Sequence, residues 1–433
     1  MAFSMENDSH THRVFRSHLG FAVRVPTLLP MMSALYGLGL ANIFIRSSMG
    51  VLAPELAADL GLAPEMLGAI ASAFFLSYGL MQIPTGLMLD RFGPRVTVCG
   101  FFLITVLGTL LFALSPSGPV MLLSRIMMGA GCAGVFSGAF LIIARFYPPV
   151  RFTPMGATLN SFAMLGTFLA TIPLAFLVTT IGWRDSFLWI GIIMAVIALL
   201  AVLTLRDQPP GVDATAKRER QESVRDVLAG SWEVMRTPGI LVITAGGIAL
   251  SAGNTIIGIW GGPYLNDVHG LNETERGGVL IFMAFSGVAG HFLYGQAARI
   301  LNTLKYLVLG GAAAIAAIMA TLALFPAPSL TMVTILLALL GLACGFPTIL
   351  LAHGRAMVPD HLIGRGLTTV NTGIMVAIAA MQMAIGGLIG SVATTATGQA
   401  SPDGYRAAFG FIAVMAVLTF LIYTRVRDCP PRS

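Results

Sequence analysis

The chain has 433 residues, of which 56% are hydrophobic and only 10% charged, with a mean hydropathy of +0.85. Soluble proteins carry about 25% charged residues, so these figures exclude a set of water-soluble domains and describe a chain dissolved in lipid. The net charge of +6 is dispersed over short segments between apolar runs, which reads as membrane topology and not as a nucleic-acid surface. The four cysteines, Cys99, Cys132, Cys344 and Cys429, have neither metal-ligand nor disulfide spacing and are assigned to packing.

Residues 1–27 are polar and mildly basic, with His10, His12 and His18 and no apolar core. This is no cleavable signal peptide, and a disordered cytoplasmic tail is expected. Twelve apolar runs follow, at roughly 28–53, 65–89, 96–115, 119–144, 155–179, 186–205, 238–262, 275–298, 304–325, 329–353, 365–392 and 405–425. About 20 apolar residues span the hydrocarbon core as a helix. The expected organisation is an N-terminal six-helix bundle over 28–205, a cytoplasmic linker over 206–237, a C-terminal bundle over 238–425 and a tail over 426–433. Within the linker, Ser223 with Asp226 three residues on predicts the cap of a short helix, lying on the membrane surface.

Orientation follows from Lys and Arg. With both termini inside, twenty basic residues fall on cytoplasmic segments and three (Arg184, Arg276 and Arg406) on outer loops. The two halves also echo one another. At a shift of 209, Pro54 falls on Pro263, Gly61 on Gly270, Gly68 on Gly277 and Gly86 on Gly295; at 211, Pro148 falls on Pro359 and Asn160 on Asn371.

Between the second and third runs lies a charged, glycine-bearing turn, Gly86-x-x-x-Asp90-Arg91-x-Gly93-x-Arg95, where an ion-pair latch between helices is expected. It closely resembles the signature after the second helix of the major facilitator superfamily, departing at Pro94, where that family usually has a basic residue. Arg125-x-x-x-Gly129-x-Gly131 and Gly182-Trp183-Arg184 resemble further stretches of the same family. The resemblance covers Leu28 to Tyr423. It implies an all-α integral membrane fold of twelve helices in two pseudo-symmetric six-helix bundles, rocking around a central site near mid-membrane.

Two charges lie well inside the runs, Arg46 in the first and Arg125 in the fourth, each about six residues, or roughly 9–10 Å, from the outer end. Ionisable groups inside a membrane face a cavity or a partner, yet no carboxylate occupies the middle of any run. Glu55 and Asp59 fall at or beyond the outer end of the first. A bound anion would complete the two cations. The bland alternative is that Arg46 snorkels and that Arg125 is satisfied by backbone carbonyls while bracing helix packing.

Asn42-x-x-x-Arg46 with Val51-Leu-Ala-Pro54 resembles the first helix of the organic-anion branch of the superfamily. That resemblance implies substrate contacts from Arg46, Tyr78 and Arg125. Ile45 and Cys132 stand where acidic residues occur in that branch, so its proton route is not implied. Other candidate substrate-site residues are Gln82, Asn42, Asn160, Asn254, Trp260, Asn371 and Gln382, with a helix–helix hydrogen bond as the alternative for each. Tyr294 on the eighth run is a further polar candidate. His291, within the same run, is the candidate proton carrier, whereas His353 is expected at the interface. The expected function is secondary active transport of a small organic solute, an anion or carboxylate, by alternating access. A coupling ion (H+ or Na+), a monomeric state and no cofactor are expected. The alternatives are an exporter of drugs or of another metabolite such as a siderophore, and a non-transporting receptor or assembly factor.

Overall fold

The computed structural model describes residues 28–209, 224–325, 328–359, 362–392 and 400–430. The N-terminal histidines and Ser223 lie outside them. Every regular element among the described residues is helical. Without water to bind backbone groups, a chain that crosses a bilayer satisfies them inside helices.

The first crossing is α1 (Leu29–Ser47) and α2 (Met49–Leu60); the second is α3 (Pro64–Leu80) with the start of α4 (Gln82–Ala113). The fourth is α5 (Gly118–Phe146), and the fifth is α6 (Pro149–Leu169) with the start of α7 (Ile172–Thr204). After the linker helix α8 (Val224–Arg236), the seventh crossing runs through α9 (Ile240–Thr255), a π-turn (Ile256–Trp260) and α10 (Gly261–His269). The eighth and ninth are α11 (Glu273–Leu301) and α12 (Lys305–Leu324). The tenth joins α13 (Leu330–Ala343) to α14 (Pro347–Met357); α15 (Ile363–Ser391) and α16 (Pro402–Tyr423) complete the chain.

Among the described residues, ten helical stretches are long and apolar enough to cross a membrane. Twelve crossings result because α4 and α7 each contain a reversal, at Gly93 (φ 80°) and Gly182 (φ 80°). A left-handed φ is open to glycine at no steric penalty. Leu89 and Val98, on either side of the first reversal, both pack against Gly138 of α5, as the two arms of a hairpin would.

The interruptions within crossings have a common cause. A proline removes one N–H and clashes with the carbonyl four residues before it. Pro84, Pro173 and Pro347 have Leu80, Leu169 and Ala343 at that position, and each is the last residue of its helix. Pro263 places the disturbance at Ile259, inside the π-turn, and the break at Ser48 lies just upstream of its counterpart Pro54.

Four expectations need correction. The Gly86–Arg95 stretch is not a turn: the helix continues through Gly86, Asp90 and Arg91, and the reversal is confined to Gly93. One partner found there is Asp207, whose Oδ1 accepts from the Arg95 backbone N–H at 2.9 Å, while Arg95 Nη2 donates to the Val202 carbonyl at 2.9 Å. Glu55 and Asp59 do not lie beyond the first helix, because Pro54 fits inside α2 and the helix runs on to Leu60. Arg276 is not in a loop: Asn272 and Glu275 form a capping box that starts α11 at Glu273 and sets Arg276 in its first turn, 1% exposed. His353 is buried and not interfacial, bonded to the Tyr423 hydroxyl at 2.8 Å and the Arg427 carbonyl at 2.9 Å.

A methyl group at Gly93 would stand 2.6 Å from Asp207 Oδ1 on a backbone that L-residues avoid. Gly93→Ala is therefore expected to lower stability by about 1–3 kcal/mol, read as a reduced thermal midpoint of the purified protein. Gly86→Ala, inside the helix with open space around it, should leave that midpoint unchanged or raise it.

Candidate functional site

A cavity of about 700 Å³ lies between the two six-helix halves. Its walls come from crossings one, two, four and five on one side and seven, eight, ten and eleven on the other. Two breaks in the backbone flank its charged centre. Arg46 is in the last turn of α1, before the break at Ser48, and Asn254 is in the last turn of α9, before the π-turn. Such interruptions give side chains room and free carbonyls that a continuous helix lacks.

Among the described residues, Arg46 is the one Asp, Glu, Lys or Arg side chain lining this cavity. Its Nη2 donates to Asn254 Oδ1 at 2.7 Å, a hydrogen bond from one half of the molecule to the other. Its guanidinium carbon stands 5.2 Å from the centre of the Phe75 ring. Among the described residues a neutral amide and a ring face meet the charge, and no carboxylate does. In a site of low dielectric this favours a bound anion. Tyr78, Gln82 and Asn160 join Arg46 from the first half, and Asn371 and His291 join Asn254 from the second. His291 Nδ1 pairs with the Gly287 carbonyl of its own helix at 2.7 Å, which leaves Nε2 available. Between these polar groups the walls are apolar, with Phe136, Phe140, Met164, Met283 and Met375.

Five of the singled-out residues stand elsewhere. Asn42 is buried and donates from Nδ2 to the Cys132 carbonyl at 2.8 Å, tying crossing one to crossing four. Trp260 sits in the π-turn, 1% exposed, and Gln382 is fully buried on α15. Arg125 is 1% exposed and reaches across to α1, where Nη1 donates to the Ile45 carbonyl at 3.1 Å. Its guanidinium carbon lies 4.7 Å from the centre of the Phe74 ring. Ser48 Oγ donates to the same Ile45 carbonyl at 3.1 Å. Arg125 thus holds the end of α1 where the helix breaks, next to Arg46, without lining the cavity. Tyr294 lies behind the wall, its hydroxyl donating to the Ala343 carbonyl at 3.2 Å.

Comparison with known proteins agrees with this architecture. The description of the Major Facilitator Superfamily matches residues 35–381. A probable sulfoacetate transporter of Cupriavidus necator is 30% identical over 178 residues, 41% of each chain. A putative tartrate transporter of Agrobacterium vitis is 23% identical over 80% of this chain and 79% of its own. A probable L-galactonate transporter of Escherichia coli is 29% identical over 66% of this chain and 63% of its own. The matches to the first two curated relatives span only 41% and 37% of their lengths. Among solved structures, a bacterial homologue of the lysosomal transporter Spinster, in an inward-facing and occupied conformation, superposes with a TM-score of 0.73 at 19% identity, over 91% of this chain and 95% of that one. A D-xylose–proton symporter gives 0.72 at 15% identity, over 92% and 97%.

If Arg125 braces the α1 break, Arg125→Lys, which keeps the charge and loses the planar group lying against Phe74, should lower stability by about 1–2 kcal/mol. Asn42→Ala should cost about 1 kcal/mol. Thermal unfolding in detergent checks both.

Proposed function

The chain belongs to the Major Facilitator Superfamily, and on that premise we propose that it is a secondary active transporter of a small organic anion, working by alternating access. The observation that carries this reading is Arg46: among the described residues, a single guanidinium in a cavity between two pseudo-symmetric halves, held by the neutral Asn254 with no carboxylate beside it. A carboxylate or sulfonate would supply the missing charge, and a planar guanidinium matches a carboxylate with two parallel hydrogen bonds. Relatives named for tartrate, L-galactonate and sulfoacetate, all anions, support the same substrate class. Tyr78, Gln82, Asn160 and Asn371 are then hydrogen-bonding partners for the rest of the solute, and His291 is the proposed proton carrier if the coupling ion is H+. Both halves of the site lie in one chain, which is consistent with a working monomer.

The protein is a multi-pass membrane protein. Arg91, Arg95, Arg145, Arg299 and Arg355 all lie towards one face, and the positive-inside tendency makes that face, both termini and the linker cytoplasmic. The cavity reaches towards this face at Phe140, Leu351 and Leu367, so the conformation described is inward-facing. The apolar walls favour a second reading, an exporter of a more hydrophobic solute in the same fold.

A panel of organic acids, neutral sugars and organic cations, screened by ligand-induced thermal stabilisation, separates these readings; stabilisation by neutral or cationic compounds alone would rule out the anion reading. With a responding acid in hand, Arg46→Ala should weaken its binding about tenfold to a hundredfold. Arg46→Lys should recover only part of that loss, because the ammonium lacks the bidentate fork. For orientation, a cysteine placed at Lys217 should react with membrane-impermeant thiol reagents only after the cells are opened.

A further inference from the structure

On the face opposite the basic one, the two halves of the chain touch along several seams, two of them lined by glycine. At the first, α2 lies against the π-turn and α10: a side chain at Gly262 would collide with the Gly50 carbonyl oxygen, and one at Gly50 with that of Ile257. At the second, α3 lies against α15: a Cβ at Gly68 would stand 2.8 Å from the Gln382 carbonyl oxygen, and one at Gly386 2.8 Å from that of Pro64. Backbones this close leave no path for solute. Just beyond the first seam, Glu55 of α2 pairs with Arg276 of α11. The exposures of the two side chains are 15% and 1%.

This ion pair differs from its neighbours. On the same face, Asp59 pairs with Arg184, also in the first half, and Arg406 pairs with Asp403 of its own helix. Those pairs survive any movement of one half against the other. Glu55–Arg276 joins the halves and must break when the seams part. It is also incompletely satisfied: Glu55 Oε2 and Arg276 Nε are buried and make no hydrogen bond among the described residues. Glu273 is the only further charge described near Arg276, at 3.9 Å. Burying two charges carries a desolvation penalty that their attraction only partly offsets, whereas removing one partner leaves the other stranded. A pair of this kind holds the mouth shut with little net preference and gives way once water reaches it.

We propose that Glu55 and Arg276 form the outer gate of the transport cycle, an ion pair made only while the outer mouth is closed. Neither residue lines the cavity, so the gate acts on the balance of inward- and outward-open states and not on substrate contact. The inference rests on the alternating-access reading above, but not on the charge of the solute.

The test needs no substrate. Spin labels are placed at Ala63 and Thr274, both exposed on this face and on opposite halves, in a background without the four native cysteines and in lipid nanodiscs. The distance distribution between the labels reports closure. Glu55→Gln strands the buried guanidinium and should move the open-to-closed ratio about tenfold or more towards the longer distance. The double variant Glu55→Leu/Arg276→Met removes both charges and should return the short distance. Gly262→Ala, which blocks the seam sterically, should open the mouth by a separate route. If Gly262→Ala lengthens the distance and Glu55→Gln does not, the gate assignment is overturned. A double variant as open as Glu55→Gln would overturn it too. A distance that stays short in every variant overturns the gate together with the two-state reading beneath it.

Discussion

A guanidinium inside a bilayer-spanning bundle is tolerable only if something polar meets it, and that requirement organises the centre of this protein. Arg46 is met by Asn254, and the two residues come from opposite halves of the chain. The contact therefore does two things at once: it solvates a charge, and it places the charge on the seam where the halves must separate. A proline stands near each of the breaks beside it. Pro54 and Pro263 stand at matching places in the two halves, and each is accompanied by a disturbance of the helix, at Ser48 and at Ile256–Trp260. The carbonyl of Ile45, beside the first of these, is where Arg125 and Ser48 donate. One buried arginine thus serves the geometry of the other.

Much of this was legible in the sequence. The crossings follow from apolar run length and from the glycines and prolines between the runs, because a helix in lipid has few other ways to satisfy its backbone. Seven of the polar candidates (Arg46, Tyr78, Gln82, Asn160, Asn254, His291 and Asn371) line one cavity. Five do not, for a shared reason. Depth along a helix can be counted, but the direction a side chain points can be inferred only from a polar stripe. The fourth crossing is apolar on every side, so Arg125 could be placed at the depth of Arg46 and not on a face. Its partner is a backbone carbonyl, which no residue type announces.

The outer pair was missed for a different reason. Hydropathy falls after Ala53, which suggests that the helix stops there, while Pro54 invites the same conclusion. Proline at an internal helical position removes one hydrogen bond but does not forbid continuation, and α2 runs past it. At the other partner a signal was present: Asn272-x-x-Glu275 is the pattern of a capping box, which starts the helix at Glu273 and puts Arg276 inside it. That the two residues meet depends on how the halves close, which is remote in sequence.

The single-glycine reversals at Gly93 and Gly182 bear on how the chain reaches the membrane at all. Where a hairpin has almost no loop, its two helices have no polar stretch between them on which to pause. At Gly182 only Arg184 and Asp185 must pass to the far side with the tip. Crossings five and six therefore enter the bilayer as a pair, whereas the tip at Gly93 stays on the side of the basic residues. For that pair the hairpin is the unit of insertion, and the topology of both helices is set in one step.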